Sequence, residues 1–176
     1  MTQWNTRGLR GSAFEELVSL TNQLYRQQGL ALVQKIPTPI TPVEVNNRKH
    51  IITKAYFGAK STVDYIGAVQ GIPICFDAKE TRQKNLPIGN IHRHQIEFME
   101  DFTRQKGIAF MLVHFAVVDH FFFIPFEILK KYWDLAQKGG RKSIPLEDFD
   151  SKYQVEYRGG ILRYLDVINI YLERQV

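Results

Sequence analysis

Ile108 to Val118 and His120 to Ile124 are two nearly continuous apolar runs separated by one aspartate, Asp119. Strands with this reading are covered on both faces. The chain must therefore supply helices for two sides of a sheet, with these segments at its centre. Four stretches fit that need. Ser12 can cap a helix over 13–28 whose apolar positions are Phe14, Leu17, Val18, Leu24 and Tyr25, with Gly29 stopping it. Asn90 can cap a second, running to about Lys106 and closed by Gly107. Pro125 suits a first helical turn and opens a third over Phe126 to Gln137. Leu162 to Arg174 carries Leu165, Ile168 and Leu172 in register. Leu30 to Gln34 reads as a further strand, and Lys84 to Gly89 as a loop. The expectation is an α/β chain, a mixed β-sheet flanked by helices. At 176 residues and 44% hydrophobic it has material for a single domain spanning 1–176.

The chemistry sits in a pair of shorter strands. Side chains alternate faces along a strand, so Ile72 to Lys79 places Ile74, Phe76 and Ala78 on one side and Cys75, Asp77 and Lys79 on the other. Thr62 and Asp64 share a face by the same rule. Val69-Gln70-Gly71-Ile72 is short, contains a glycine and reads as a hairpin turn, which brings Asp64 beside Asp77. Two close carboxylates stay ionised together only with a cation between them. A hard, oxygen-liganded ion such as Mg²⁺ fits, with Mn²⁺ as a substitute. Such an ion can activate water against a phosphodiester, and Lys79 would steady the charge that develops.

Gln95 follows the helical spacing of Ile91, Phe98, Met99 and Phe102, so its amide faces inward and needs a partner. His92 and His94 resemble a zinc pair in sequence, but on a helix positions i and i+2 diverge by about 200°, so they are expected to be DNA-facing or structural.

Net charge is +5, and the first sixty residues hold all of it, with eight basic residues against three acidic. A basic front end is a footprint for a polyanion. Arg7, Arg10, Arg48, Lys49 and Lys54 are candidate DNA contacts, joined by Arg141 and Lys142 in the loop over Gly139 to Ser143. From Pro37 to about Thr53 three prolines exclude a helix and too few apolar residues are present for core, so the segment is stiff and extended. It is either a proline-rich loop or a projection.

Several classes are excluded. Cys75 is the single cysteine, so no internal disulfide forms and a small buried hydrophobe is expected there. The basic loop lacks a P-loop arrangement. The longest apolar run is too short to span a bilayer and the N-terminus has no signal core, so a cytoplasmic, nucleoid-associated location is expected.

The chain resembles the RecU Holliday-junction resolvases of Gram-positive bacteria, members of the PD-(D/E)xK nuclease superfamily. The resemblance rests on Asn5-Thr6-Arg7-Gly8, Phe14-Glu15, Pro37-Thr38-Pro39, Lys54-Ala55-Tyr56-Phe57 and Ser61-Thr62-Val63-Asp64-Tyr65. It continues through Phe76-Asp77-Ala78-Lys79-Glu80-Thr81, His92-Arg93-His94-Gln95-Ile96-Glu97 and Gly140-Arg141-Lys142-Ser143-Ile144. It implies a restriction-endonuclease-like fold with a protruding stalk at about 37–53 that enters a four-way junction. It also implies metal ligation by Thr62, Asp64, Asp77 and Gln95, with Lys79 as transition-state stabiliser and Glu15 as an acid near the metal. Aspartate stands at 77 where this family usually has glutamate, one methylene longer.

Function then reads as a Mg²⁺-dependent endonuclease resolving branched DNA by paired nicks, leaving 5′-phosphate and 3′-hydroxyl ends. A two-fold substrate calls for a homodimer, to which Phe121, Phe122 and Phe123 could contribute unless they are buried. A recombinase or branch-migration protein is a further expected partner. The competing reading is a non-catalytic DNA-bridging factor that modulates a recombinase, in which Arg48, Lys49 and Lys54 matter and Asp64 does not.

Overall fold

The computed structural model describes residues 13–58 and 62–174. In chain order it contains α1 (Ala13–Gln27), β1 (Ala31–Lys35), β2 (Ile40–Asn46), β3 (Ile51–Phe57), β4 (Tyr65–Val69), β5 (Ile72–Thr81) and β6 (Asn85–Pro87). These are followed by α2 (Arg93–Arg104), β7 (Ile108–Phe115), β8 (His120–Pro125), α3 (Phe126–Gln137), β9 (Ser143–Pro145), β10 (Gln154–Val155), β11 (Tyr157–Arg158), β12 (Ile161–Leu162) and α4 (Tyr164–Leu172). Six strands form the central sheet in the order β1-β4-β5-β7-β8-β10. It is mixed: β5 and β7 run parallel, joined by the crossover through α2, and the other neighbours are antiparallel.

The expected alternation along β5 holds and divides the interior in two. Ile74, Phe76 and Ala78 enter one core with Phe14 and Val18 of α1 and Tyr164, Leu165 and Ile168 of α4. Cys75 enters the other, with Met99 of α2, Leu129 of α3, and Leu86 and Ile144 of the small β6–β9 sheet. Phe121, Phe122 and Phe123 are all buried in the described chain. Four rings cross the first core strand by strand: Tyr65 on Phe76 at 4.8 Å, Phe76 on Phe110 at 4.7 Å and Phe110 on Phe123 at 4.4 Å, all stacked. Each such pair contributes about 0.5–1.5 kcal/mol beyond the area it buries.

The β4–β5 turn is the hairpin expected from the sequence. Gln70 (φ 47) and Gly71 (φ 87) are both left-handed, the geometry that matches the twist of paired strands. At the other edge of β4, a Cβ on Gly67 would lie 2.2 Å from the Leu32 carbonyl oxygen, so only glycine lets β1 approach this closely.

Four expectations need correction. Lys84 to Gly89 is not a loop: β6 pairs with β9, a partner more than fifty residues away, and Ile88–Asn90 makes a 3-10 turn. For that reason α2 begins at Arg93 with His92, not Asn90, as its cap. Pairing of β9 also orders the end of the basic loop. The last helix begins at Tyr164 because Ile161 and Leu162 pair with β11. The extended proline segment is one arm of an antiparallel hairpin, β2 with β3, whose residues are all exposed. It reaches Phe57, beyond the expected end, and its register slips beside Pro42, where a bulge accommodates the missing N–H. The Ser12 cap lies outside the described residues. No helix among the described residues is long and apolar enough to cross a membrane.

Phe76 touches rings on both neighbouring strands, so Phe76→Ala should cost about 3–5 kcal/mol in urea unfolding. A loss below about 1 kcal/mol would show that the stacked row does not organise this core.

Candidate active site

β4 and β5 are in register with Tyr65 opposite Phe76, and the next step of that ladder sets Asp64 against Asp77. The Asp64 N–H donates to Asp77 Oδ1 at 2.8 Å, and the Ala78 N–H donates to Asp64 Oδ2 at 3.3 Å. Each carboxylate is thus held by the backbone of the other's strand. Asp77 is fully buried, whereas the Asp64 side chain is 31% exposed. Lys79, two residues along the same face of β5, places Nζ 3.2 Å from Asp77 Oδ2 and 3.9 Å from Asp64 Oδ2. The trio expected from the sequence is therefore assembled.

Its electrostatics are strained. Burial, followed by the charge of Asp77, pushes the Asp64 carboxyl up to about 6 against the pull of Lys79. Burial also raises Asp77, opposed by Lys79 and by hydrogen bonds from Asp64 and Gln95. One ammonium group does not balance two desolvated carboxylates. A divalent cation would, and the donors are hard oxygens of the kind Mg²⁺ takes. Among the described residues no three His, Cys, Asp or Glu side chains gather to hold a metal. An ion here would rest on the two aspartates and complete its shell with water and substrate oxygens, the usual pattern for Mg²⁺.

The other expected residues are placed less uniformly. Glu15, in the first turn of α1, bonds Lys35 Nζ at 2.7 Å, and its charge reaches Asp64. Thr62 is half-buried in a bend before β4 rather than in a strand, so alternation does not set its direction as expected. Gln95 is buried and faces the site, but through its nitrogen: Nε2 donates to Asp77 Oδ2, while Oε1 accepts the His92 N–H at 2.9 Å. Its oxygen helps close the start of α2, and its nitrogen holds the Asp77 carboxylate. His92 and His94 do not diverge. Their rings stack at 5.4 Å and 11°, because His92 is the extended cap residue and helical spacing does not apply to it.

Of the DNA-contact candidates, Arg48 and Lys49 stand exposed at the tip of the β2–β3 hairpin, and Lys142 is exposed at the start of β9. Lys54 lies 3.9 Å from Glu44, and Arg141 lies 3.6 Å from Asp148. Arg7 and Arg10 fall outside the described residues. One residue was missed. Lys35 ends β1 opposite Tyr65, the next main-chain N–H, of Ile36, donates to the Asp64 carbonyl at 2.8 Å, and the Glu15 hydrogen bond raises the Lys35 ammonium, with a smaller contribution from the charge of Asp64. Only the β1–β4 pairing, a long-range fact, identifies it.

The raised Asp64 sets the sign of a stability change. Between about 4 and 6 the folded protein keeps a proton that the unfolded chain releases, so this group lowers stability as pH rises through that window. Asp64→Asn should therefore stabilise the metal-free protein at pH 8 by roughly 1–2 kcal/mol, after screening at a partly exposed carboxylate, with the gain fading toward pH 4. Urea midpoints across pH 4–8 read this directly. A variant less stable than wild type at pH 8 would contradict it.

The family model for Recombination protein U (RecU) matches residues 9–170. Proteins named Holliday junction resolvase RecU are similar over most of the chain. That of Limosilactobacillus reuteri is 41% identical over 166 residues, covering 91% of this chain and 81% of its own. That of Pediococcus pentosaceus is 38% identical over 172 residues, covering 94% and 86%. That of Streptococcus pneumoniae is 38% identical over 169 residues, covering 93% and 83%. Among solved structures, Archaeoglobus fulgidus Hjc, titled a Holliday junction resolvase, aligns with TM-score 0.48 and 12% identity over 79% of this chain and 91% of that one.

Proposed function

This chain belongs to the RecU family, and from that membership we propose that it is an endonuclease that cuts four-way DNA junctions at the site built around Asp64, Asp77 and Lys79. The carrying observation is the reciprocal lock of the two carboxylates, each held by the other's backbone, with the Lys79 ammonium against both. Above about pH 6, where Asp64 gives up its proton, a cationic ligand would relieve that arrangement, and on this reading a scissile phosphate approaches beside it.

A divalent cation held by Asp64 and Asp77, Mg²⁺ or Mn²⁺, would polarise the phosphate and make water a competent nucleophile at neutral pH. The chain's own side chains do the rest. Lys79 faces the oxygens that gain charge as water adds to phosphorus, and a preorganised ammonium in a water-poor site stabilises that charge. The P–O3′ bond breaks, the 3′ oxygen takes a proton, and 5′-phosphate and 3′-hydroxyl ends result. Gln95 keeps Asp77 in place. Lys35, paired with Glu15 beside Asp64, is a second ammonium that can meet the incoming water or a neighbouring phosphate oxygen.

The β2–β3 hairpin supplies the discrimination. It leaves the sheet after β1 and returns before Asp64, and its exposed tip carries Arg48 and Lys49. A projection rooted beside the catalytic carboxylates suits the open centre of a junction better than the surface of a continuous duplex. Paired cuts on two strands call for two copies related by a two-fold axis, so the working form is a homodimer.

With Mg²⁺ and a synthetic mobile four-way junction, the protein should make symmetric nicks. Asp64→Asn and Lys79→Ala should each lower the cleavage rate by about 10³-fold, the scale of removing one electrostatic catalytic group, while junction binding persists. Normal cutting by Asp64→Asn would refute the site. Binding without cutting by wild type across several divalent ions would favour the DNA-bridging reading. Removing both tip charges, Arg48→Ala with Lys49→Ala, should shrink the preference for junction over linear duplex by roughly 10-fold, as for two lost phosphate contacts. An unchanged preference would remove the hairpin from recognition.

A further inference from the structure

The candidate DNA contacts within the described residues lie on the hairpin and at Arg141 and Lys142, yet a further group of exposed basic residues follows β5 directly beyond Lys79. β5 runs from Lys79 through Glu80 and Thr81 into a tight connection, Arg82-Gln83-Lys84, that leads to β6. This connection is built, not loose. Thr81 Oγ1 donates to the Asn85 carbonyl at 3.0 Å and accepts the Gln83 N–H at 3.2 Å. At the two ends of the β6–β9 pair, the Lys84 carbonyl accepts from Leu146 N–H and the Lys142 carbonyl from Ile88 N–H, both at 2.9 Å. The backbones of Arg82, Lys84 and Lys142 are thereby fixed while their side chains are exposed.

Position and charge make this edge distinct. Leu86, Ile88 and Ile144 anchor the small sheet in the same core as Cys75, so it covers the face of β5 that carries Asp77 and Lys79. Arg82 follows Lys79 by three residues, at most about 10 Å of chain, within reach of neighbouring phosphates of one DNA strand. Several basic side chains elsewhere are neutralised by a neighbour, as in Arg93–Glu97, Lys130–Asp134 and Arg163–Asp166. Arg82, Lys84 and Lys142 make no ion pair among the described residues, whereas Arg141 is engaged by Asp148. Three unpaired cations near the Asp64–Asp77 pair would offset the repulsion a phosphate chain otherwise meets there.

We infer that Arg82 and Lys84, with Lys142, form a phosphate-binding ridge along the β6–β9 sheet that grips the DNA backbone running away from the scissile phosphate. The inference rests on the nuclease reading for the identity of its ligand. Contacts of this kind position the backbone without reading sequence, so they contribute affinity and salt dependence for any branched substrate.

The test is a salt titration of junction binding in EDTA, where no cutting occurs. The double variant Arg82→Ala with Lys84→Ala should lower the slope of log affinity against log salt by about 1.8 and weaken binding roughly 10- to 30-fold near physiological salt. The double variant Arg26→Ala with Arg158→Ala, an equal charge loss on elements at the other face of the sheet, should leave the slope within about 0.5 of wild type. The charge-keeping exchange Arg82→Lys with Lys84→Arg should restore it. An unchanged slope in the first variant, an equal fall in the second, or no restoration in the third overturns the ridge. Junction cutting by wild type in Mg²⁺ is scored separately: cutting with an unchanged slope defeats the ridge alone, and absence of cutting defeats the nuclease reading.

Discussion

Everything chemical in this structure depends on two carboxylates pressed together at the open end of the β4–β5 hairpin. Folding buries Asp77 completely and leaves Asp64 raised to about 6, a cost that no hydrophobic contact explains. It is borne by a stiff frame. The stacked row from Tyr65 to Phe123 fixes β4, β5, β7 and β8 relative to one another, and the two layers of helices hold the sheet from both sides. Perturbed carboxylates of this kind, confined to one spot in a well-packed core, single out a candidate functional site.

The elements around that spot divide the work by their place in the fold. β1 and α1 bring Lys35 and Glu15 to the Asp64 side. α2 brings Gln95, whose amide is shared between the cap of its own helix and Asp77, so the start of α2 and the position of the carboxylate are set together. The hairpin β2–β3 departs next to Asp64, and the exposed Arg82 and Lys84 follow β5 beyond Lys79. Exposed cations near an acidic centre offset the repulsion that a polyanion would meet there.

Much of this was legible in the sequence where the signal is local. Period-two alternation in Ile72 to Lys79 and the Gln70-Gly71 turn located the hairpin and the trio, because a strand's faces and a two-residue turn are decided within a few residues. The apolar run from Ile108 announced a strand covered on both sides. What stayed hidden depends on distant partners. Asn85 to Pro87 has nothing strand-like in composition, and becomes a strand only because Ser143 to Pro145 lies beside it. Lys35 reads as one charge among eight until β1 is paired with β4. Helical spacing misplaces His92 against His94, because it does not apply to a cap residue. Gln95 was expected to give its oxygen to a metal, but that oxygen also has a helix start to satisfy.

The central claim, that Asp64 and Asp77 converge to trap a divalent ion, is tested most directly by calorimetric titration of Mn²⁺ into the DNA-free protein and into Asp77→Asn. Saturable binding to wild type that disappears in the variant, while the variant keeps its fold by circular dichroism, is the predicted result. Equal binding to both proteins, or none to wild type, would contradict it.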